Sequence, residues 1–144
     1  MIKVLLLRPP PQLPAVFEKI KSLYLLWYTY YQILPKAHRY TLGQKTDRMF
    51  MEMIEAVAVA SFLKAEEKIP YVKLAIRKSD VLKIFLHILW ETKSLNTTKY
   101  IQLSEKLNEI GKNLGGWVGK LLNPKPLQQV QNKQNSPSNN AGEK

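Results

Sequence analysis

The chain has 144 residues, no cysteine and a formal net charge of +11. This length is typical of one ordinary domain, and the lack of cysteine excludes thiol nucleophiles and zinc fingers. Lys and Arg total 22 against 11 Asp and Glu residues. Such an excess usually indicates a polyanionic partner, either nucleic acid or an anionic membrane surface. The alternative is a basic protein without such a partner.

The two ends of the chain differ from its centre. The apolar run from Val4 to Leu7 is too short for a signal peptide and is followed at once by Arg-Pro-Pro-Pro. No segment reaches the roughly 18 uninterrupted apolar residues of a membrane span. We therefore expect a soluble, cytoplasmic protein with a flexible extension at residues 1–14. Residues 123–144, rich in Asn, Gln, Ser and Pro, are expected to form a disordered tail.

Apolar residues at spacings of three and four predict a first helix over residues 15–34. Pro14 suits its first turn, and Pro35 stops it because the residue before a proline is pushed out of the α region. The predicted buried face comprises Val16, Phe17, Ile20, Leu23, Tyr24, Trp27, Tyr31 and Leu34.

A second helix is predicted over residues 41–67, where "TLGQ" indicates a capping box between Thr41 and Gln44. Lys-Ile-Pro at residues 68–70 is expected to close it. Its predicted buried face comprises Leu42, Met49, Met53, Ala56, Val57 and Ala60.

The third helix is predicted over residues 70–94, with an apolar face of Tyr71, Leu74, Ala75, Val81, Leu82, Phe85 and Leu89. The fourth is expected to begin near Thr97 or Thr98, either of which is a good N-cap. It has a heptad pattern of Tyr100, Leu103, Leu107, Ile110, Leu114, Trp117 and Leu121. Four long helices with short connections predict an all-α, antiparallel up-down four-helix bundle over residues 15–122.

Catalytic motifs are not found. The two histidines, His38 and His87, lack the spacing of helical metal ligands, and Glu52 and Glu55 are expected to lie on a solvated face. No nucleophile elbow, P-loop or dinucleotide fingerprint occurs. We therefore expect a protein that is not an enzyme and that needs no metal or cofactor.

Basic residues recur on the predicted helices and at the first turn. A surface built from them would bind phosphates without reading bases, with an affinity that falls as salt rises. Each one taken alone is better explained as a solvated side chain, and only their sum favours binding. The candidate nucleic-acid or partner contacts are Lys36, Arg39, Lys45, Arg48, Lys73, Arg77, Lys78 and Lys83.

Lys78 differs from the others because helical spacing places it within the apolar face of the third helix. Three alternatives stay open: its amine extends to solvent, faces a subunit interface, or faces a central channel of an oligomer. Aromatic residues around the first helix, Trp27 and Tyr31 among them, also favour self-association. Packing is favoured over stacking on nucleic-acid bases for this cluster.

Three motifs together resemble a known family: "ILPKAHRYTLGQK", "AIRKSDVLKIFLHILWE" and "IGKNLGGWVGKLL". They are similar to the accessory variability determinant (Avd) proteins of diversity-generating retroelements over roughly residues 15–122. That family is in turn similar to proteins encoded by intervening sequences in 23S ribosomal RNA genes. The first and third motifs are fairly specific in combination, whereas the second alone would be a generic helix.

The resemblance implies a homopentameric ring of four-helix bundles with a positive surface. It also implies binding to a reverse transcriptase and to template RNA or complementary DNA in support of mutagenic copying, without catalysis. Gly111, Gly115 and Gly116 are expected to permit a close backbone approach, and Trp117 beside them to pack against a neighbouring helix or subunit.

Two other functions remain open. An intervening-sequence protein with an RNA-related role would have the same fold. A basic protein acting on membrane surfaces would have to expose the apolar faces of its first and fourth helices, which the bundle pattern hides, so no membrane partner is expected.

Overall fold

The computed structural model describes residues 13–124. Within this range the chain forms five helices and no strand, which confirms the all-α prediction. The helices are α1 (Ala15–Gln32), α2 (Lys36–Arg39), α3 (Leu42–Ser61), α4 (Ala65–Glu91) and α5 (Thr97–Leu122). Residues 1–12 and 125–144, which hold most of the predicted extension and tail, lie outside the described residues. None of the described helices is long and apolar enough to cross a membrane.

The four long helices pack around one apolar core. Helix α4 contacts α3 and α5, α1 contacts α5 and α3, and the short α2 packs on α3. Each fully buried Leu, Ile or Phe of this core contributes roughly 1.5–3 kcal/mol relative to an exposed position. The largest buried side chains are Trp27, Phe50, Ile20, Leu23, Leu34, Met53, Leu82, Leu86, Leu89, Leu95, Leu103 and Leu107.

The predicted boundary between the second and third helices is wrong. Helix α3 ends at Ser61, six residues before the predicted end, and α4 begins at Ala65. Lys68 lies inside α4 and its Nζ donates a 2.7 Å hydrogen bond to the carbonyl of Ala60, which supplies a partner at the end of α3. Pro70 also lies inside α4. It is exposed, so water can satisfy the carbonyl that its missing N–H leaves free.

Both predicted helix caps are also corrected. No side chain caps α3, and the Thr41 hydroxyl donates back to the carbonyl of Ala37 at 3.1 Å. Helix α5 is capped by Asn96, whose side-chain oxygen accepts from the backbone N–H of Lys99 at 2.8 Å. Asn96 has the extended backbone conformation that an N-cap residue needs, and its short side chain reaches the N–H groups of the first turn.

The phase of the buried faces differs in part from the prediction. On α4 the buried positions include Val72 and Leu86, which the prediction left out, whereas Tyr71 is exposed and Phe85 half-buried. Helix α4 packs against both α3 and α5, so apolar residues on either side of its most buried face are also partly covered. The positions of apolar residues alone therefore do not show which face of the helix is the most buried. The predicted faces of α1 and α5 are largely confirmed by Ile20, Leu23, Trp27, Leu34, Leu103, Leu107, Ile110 and Leu114.

Candidate nucleic-acid interface

Helix α2 and the start of α3 hold four of the predicted basic contacts. Lys36 is exposed on α2, and Lys45 and Arg48 are exposed on the first turns of α3. Arg39 differs, because it is half-buried and its Nη2 donates to the carbonyl of Leu34 at 3.0 Å. Arg39 therefore helps to hold the connection together, while the other three present to solvent cations that form no ion pair within residues 13–124.

Local contacts fix this connection in place. Nδ1 of His38 is hydrogen-bonded to Oγ of Ser94, which ties α2 to the segment after α4. A Cβ atom on Gly43 would lie 2.7 Å from Cδ1 of Leu34 and 2.9 Å from the carbonyl oxygen of His38. The absence of a side chain at Gly43 thus allows α2 to lie directly on the start of α3.

Lys73 and Arg77 lie one turn apart on α4 and are both exposed. No acidic side chain in the described part of the chain forms an ion pair with either of them. Ile84, 61% exposed, continues the same outward face. This face of α4 therefore combines unpaired cations with an accessible apolar side chain.

The other two predicted contacts on α4 point elsewhere. Nζ of Lys78 forms a 2.7 Å ion pair with Glu52 of α3, and the two side chains are 26% and 37% exposed. Lys83 lies on the α5 side and approaches Asp80 at 3.5 Å. The structure thus brings Lys73 and Arg77 together but separates them from Lys78 and Lys83. None of the three alternatives for Lys78 included a partner within its own chain.

The residues predicted for packing or oligomer contacts differ in their surroundings. Trp27 is fully buried, stacks on Phe50 with ring centroids 5.4 Å apart, and packs within its own chain. Gly115 and Gly116 have open space where a Cβ would stand, so within the described residues they do not serve a close helix approach. Trp117 packs partly on the core.

An aromatic cluster at the α4–α5 connection was missed by the sequence analysis. Trp90 and Tyr100 stack with centroids 5.0 Å apart, and His87 packs at an angle to both rings. Nε2 of His87 lies 2.5 Å from Glu91, and Nε1 of Trp90 donates to Thr97 at 3.1 Å. The spacing of His87, Trp90 and Glu91 places them on about one turn of a helix, and this pattern could have indicated a cluster. It could not show that Tyr100 of α5 completes the cluster.

Comparison with known proteins gives one result. The model of the bAvd-like family matches residues 15–121, and no curated protein or solved structure matches the chain. The matched range includes all five helices except the last residue of α5, so it includes every basic candidate residue described above. The chain therefore belongs to the bAvd-like family, as the resemblance of its three motifs to Avd proteins predicts.

Proposed function

We propose that this protein is a non-enzymatic accessory scaffold of a diversity-generating retroelement. It binds the reverse transcriptase and template RNA or complementary DNA through a basic surface, and so supports mutagenic reverse transcription in the cytoplasm. Membership of the bAvd-like family supports an accessory role of this type.

The observation that carries the binding proposal is the set of exposed cations that form no ion pair with an acidic side chain of the described residues. Lys36, Lys45, Arg48, Lys73 and Arg77 are exposed, and none pairs with an acid of the described residues. A cation that binds a phosphate releases counterions from the nucleic acid. An unpaired cation need not first break an existing ion pair, so such residues contribute most to phosphate binding. Helices α2, α3 and α4 all supply them, which suits a long ligand.

We further propose that residues 15–122 form an antiparallel up-down four-helix bundle that assembles as a homopentameric ring. The contacts of each long helix with two others support the bundle, as do the short connections at residues 62–64 and 92–96. Exposed apolar side chains support assembly, because contact with other subunits would remove apolar area from water at Leu25, Met51, Phe62, Ile84 and Ile101.

Co-purification with the neighbouring reverse transcriptase, with and without the template RNA, tests the proposal. Association that survives nuclease treatment and a high-salt wash supports a direct protein contact. Retained RNA binding without any association with the transcriptase would contradict the retroelement function and favour the intervening-sequence alternative. Light scattering on the purified protein tests the pentamer, and a monomer at micromolar concentration would contradict it.

A further inference from the structure

A cationic groove lies between the start of α1 and the end of α5, away from every basic residue considered so far. Its volume is about 310 Å³, and Pro14 and Lys19 line it from the α1 side. From α5 come Lys112, Gly116 and Lys120, at intervals of four residues. Residues four apart lie on the same face of a helix, so the two α5 lysines stand on either side of the glycine.

At Gly116 the backbone of α5 is exposed at the bottom of this groove. Apart from its chain neighbours and the adjacent backbone of α5, no atom of the described residues lies within 4 Å of the position that a Cβ would take on Gly116. A ligand can therefore approach the backbone of α5 closely between Lys112 and Lys120, which a larger residue would prevent.

The inner wall of the groove combines a flat apolar surface with a polar one. Trp117, half-buried, and Asn113, one turn before it, both line the groove. Nδ2 of Asn113 is buried and finds no hydrogen-bond acceptor within the described residues. A buried amide donor without a partner is unfavourable, but this nitrogen lies beneath the groove surface, so the face open to a ligand is that of Trp117 and the lysines.

The charge of the groove is of one sign. Three lysines line it and no acidic residue does, within the part of the chain that the structure describes. Lys19 forms a 2.7 Å ion pair with Glu109, which stands outside the groove. The hydrogen bond from Lys19, together with its charge, holds the pKa of Glu109 below its usual value. Lys112 and Lys120 form no ion pair with described acids and remain available to an anion.

We infer that this groove binds one nucleotide of a single-stranded nucleic acid, with its phosphate between Lys112 and Lys120 over Gly116 and its base against Trp117. The inference rests on the proposed nucleic-acid binding and deepens it by adding a site for an unpaired base. Lysine amines suit a phosphate as point charges, and an indole ring offers a stacking surface to any base. A duplex would not fit, because its bases are already stacked and paired.

The test compares a labelled ten-residue oligouridylate with an abasic oligonucleotide of equal length and charge, by fluorescence anisotropy at low salt. Gly116→Leu fills the groove without changing any charge, and Gly115→Leu is its matched control, since Gly115 is equally open but does not line the groove. Both changes replace glycine by a better helix former. We expect Gly116→Leu to weaken oligouridylate binding about tenfold, with binding of the abasic strand much less affected. Gly115→Leu should bind as the native protein does.

A second pair of variants tests the stacking contact. Trp117→Phe keeps an aromatic face and should retain most of the affinity for oligouridylate, whereas Trp117→Leu should lose about as much as Gly116→Leu. Uridine monophosphate, added as a competitor at millimolar concentration, distinguishes a site for free nucleotides from one for a strand. Full displacement by the monophosphate alone would contradict binding as part of a strand.

Other outcomes separate the two proposals. If the native protein and Gly116→Leu bind both oligonucleotides with the same affinity, the groove is not a nucleotide site, but the proposed basic surface is not contradicted. No binding of either oligonucleotide would overturn both. A change in oligomer size with Gly116→Leu but not Gly115→Leu, measured by light scattering, would show that the groove is a subunit contact and would also overturn the inference.

Discussion

Nε1 of Trp27 donates a 3.0 Å hydrogen bond to Oδ1 of Asp47 and thereby joins α1 to α3. The indole ring is fully buried and stacks on Phe50, so this bond lies at the edge of the apolar core. The same carboxylate lies close enough to the hydroxyl of the partly buried Tyr24 to raise its pKa. Asp47 thus links α3 to the indole of Trp27 on α1.

Trp27→Phe should lower the free energy of unfolding by about 1–3 kcal/mol, because the ring can still stack but the bond to Asp47 is lost. Urea denaturation followed by circular dichroism measures this change. Trp117→Phe is the control, since no hydrogen bond of its indole N–H is seen in the described residues, and it should cost about 1 kcal/mol or less. Equal losses in the two variants would contradict a specific role for the bond.

Stability should fall at alkaline pH through Tyr24. Burial, and then the hydrogen bond and charge of Asp47, raise its pKa from 10.0 to about 12. Between these two values the folded protein keeps a proton that the unfolded chain releases, so the free energy of unfolding decreases as pH rises. The stabilisation is complete below pH 10 and is lost as pH approaches the folded-state pKa of about 12.

Tyr24→Phe should remove that part of the pH dependence. The comparison is of urea midpoints for native protein and variant between pH 9 and pH 11.5, a range chosen around the pKa of an ordinary tyrosine. Parallel curves for the two proteins would contradict the assignment to Tyr24.

Gly43→Ala should destabilise the protein by about 1–3 kcal/mol, since its methyl group would meet Leu34 and the backbone carbonyl of His38 at less than 3.0 Å. Gly111→Ala is the matched change in α5, where the nearest atoms lie at 3.7 and 3.8 Å. It should stabilise by up to about 1 kcal/mol, as expected for alanine in a helix interior. Opposite shifts in thermal midpoint check both expectations, and a stabilised Gly43→Ala would contradict the close contact of α2 with α3.

Lys73→Glu combined with Arg77→Glu should abolish nucleic-acid binding at physiological salt, with the helical circular dichroism unchanged. The milder pair Lys73→Gln and Arg77→Gln should reduce the slope of log affinity against log salt by about 1 to 2. Lys21→Glu with Lys106→Glu is the control, since both residues are exposed and the change in net charge is the same. Equal loss in both glutamate pairs would indicate general charge attraction rather than a binding face on α4.

Lys78 should contribute to stability and little to nucleic-acid binding, because its amine is held by Glu52 at 2.7 Å. A double-mutant cycle with Lys78→Met and Glu52→Gln should give a coupling free energy of about 1 kcal/mol or less at this partly exposed position. Binding of oligouridylate by Lys78→Met should stay close to native. A large loss of binding with no coupling to Glu52 would restore Lys78 as a phosphate contact.

The stretch from Leu34 to Gly43 shows where sequence reasoning succeeds and fails. Pro35 correctly marks the end of α1, but the following turn is a short helix, and Thr41 binds Ala37 where a cap on Gln44 was expected. A threonine hydroxyl can bond to more than one nearby backbone group, and in the structure that of Thr41 bonds to the carbonyl of Ala37. Local preference leaves such choices open.

The sequence identified candidate basic contacts but did not show which of them are unpaired and which are held in ion pairs. Helical spacing distinguishes Lys78 from Lys73, but it does not show that Lys78 is paired with a residue 26 positions earlier in the chain, whereas Lys73 forms no ion pair within the described residues. The groove lysines Lys112 and Lys120 were not considered, although their spacing around Gly116 was a signal. Their significance depends on Pro14 and Lys19, which only the packing of α1 on α5 brings beside them.

The sequence by itself determined the all-helical class, most core residues and the membership of the bAvd-like family, because apolar spacing and motifs are local properties of the chain. Only the tertiary structure decided where α3 ends, which lysines are free, and which side chains line the groove. Each of these depends on contacts between two helices, whose mutual distance is set by packing of the shared core.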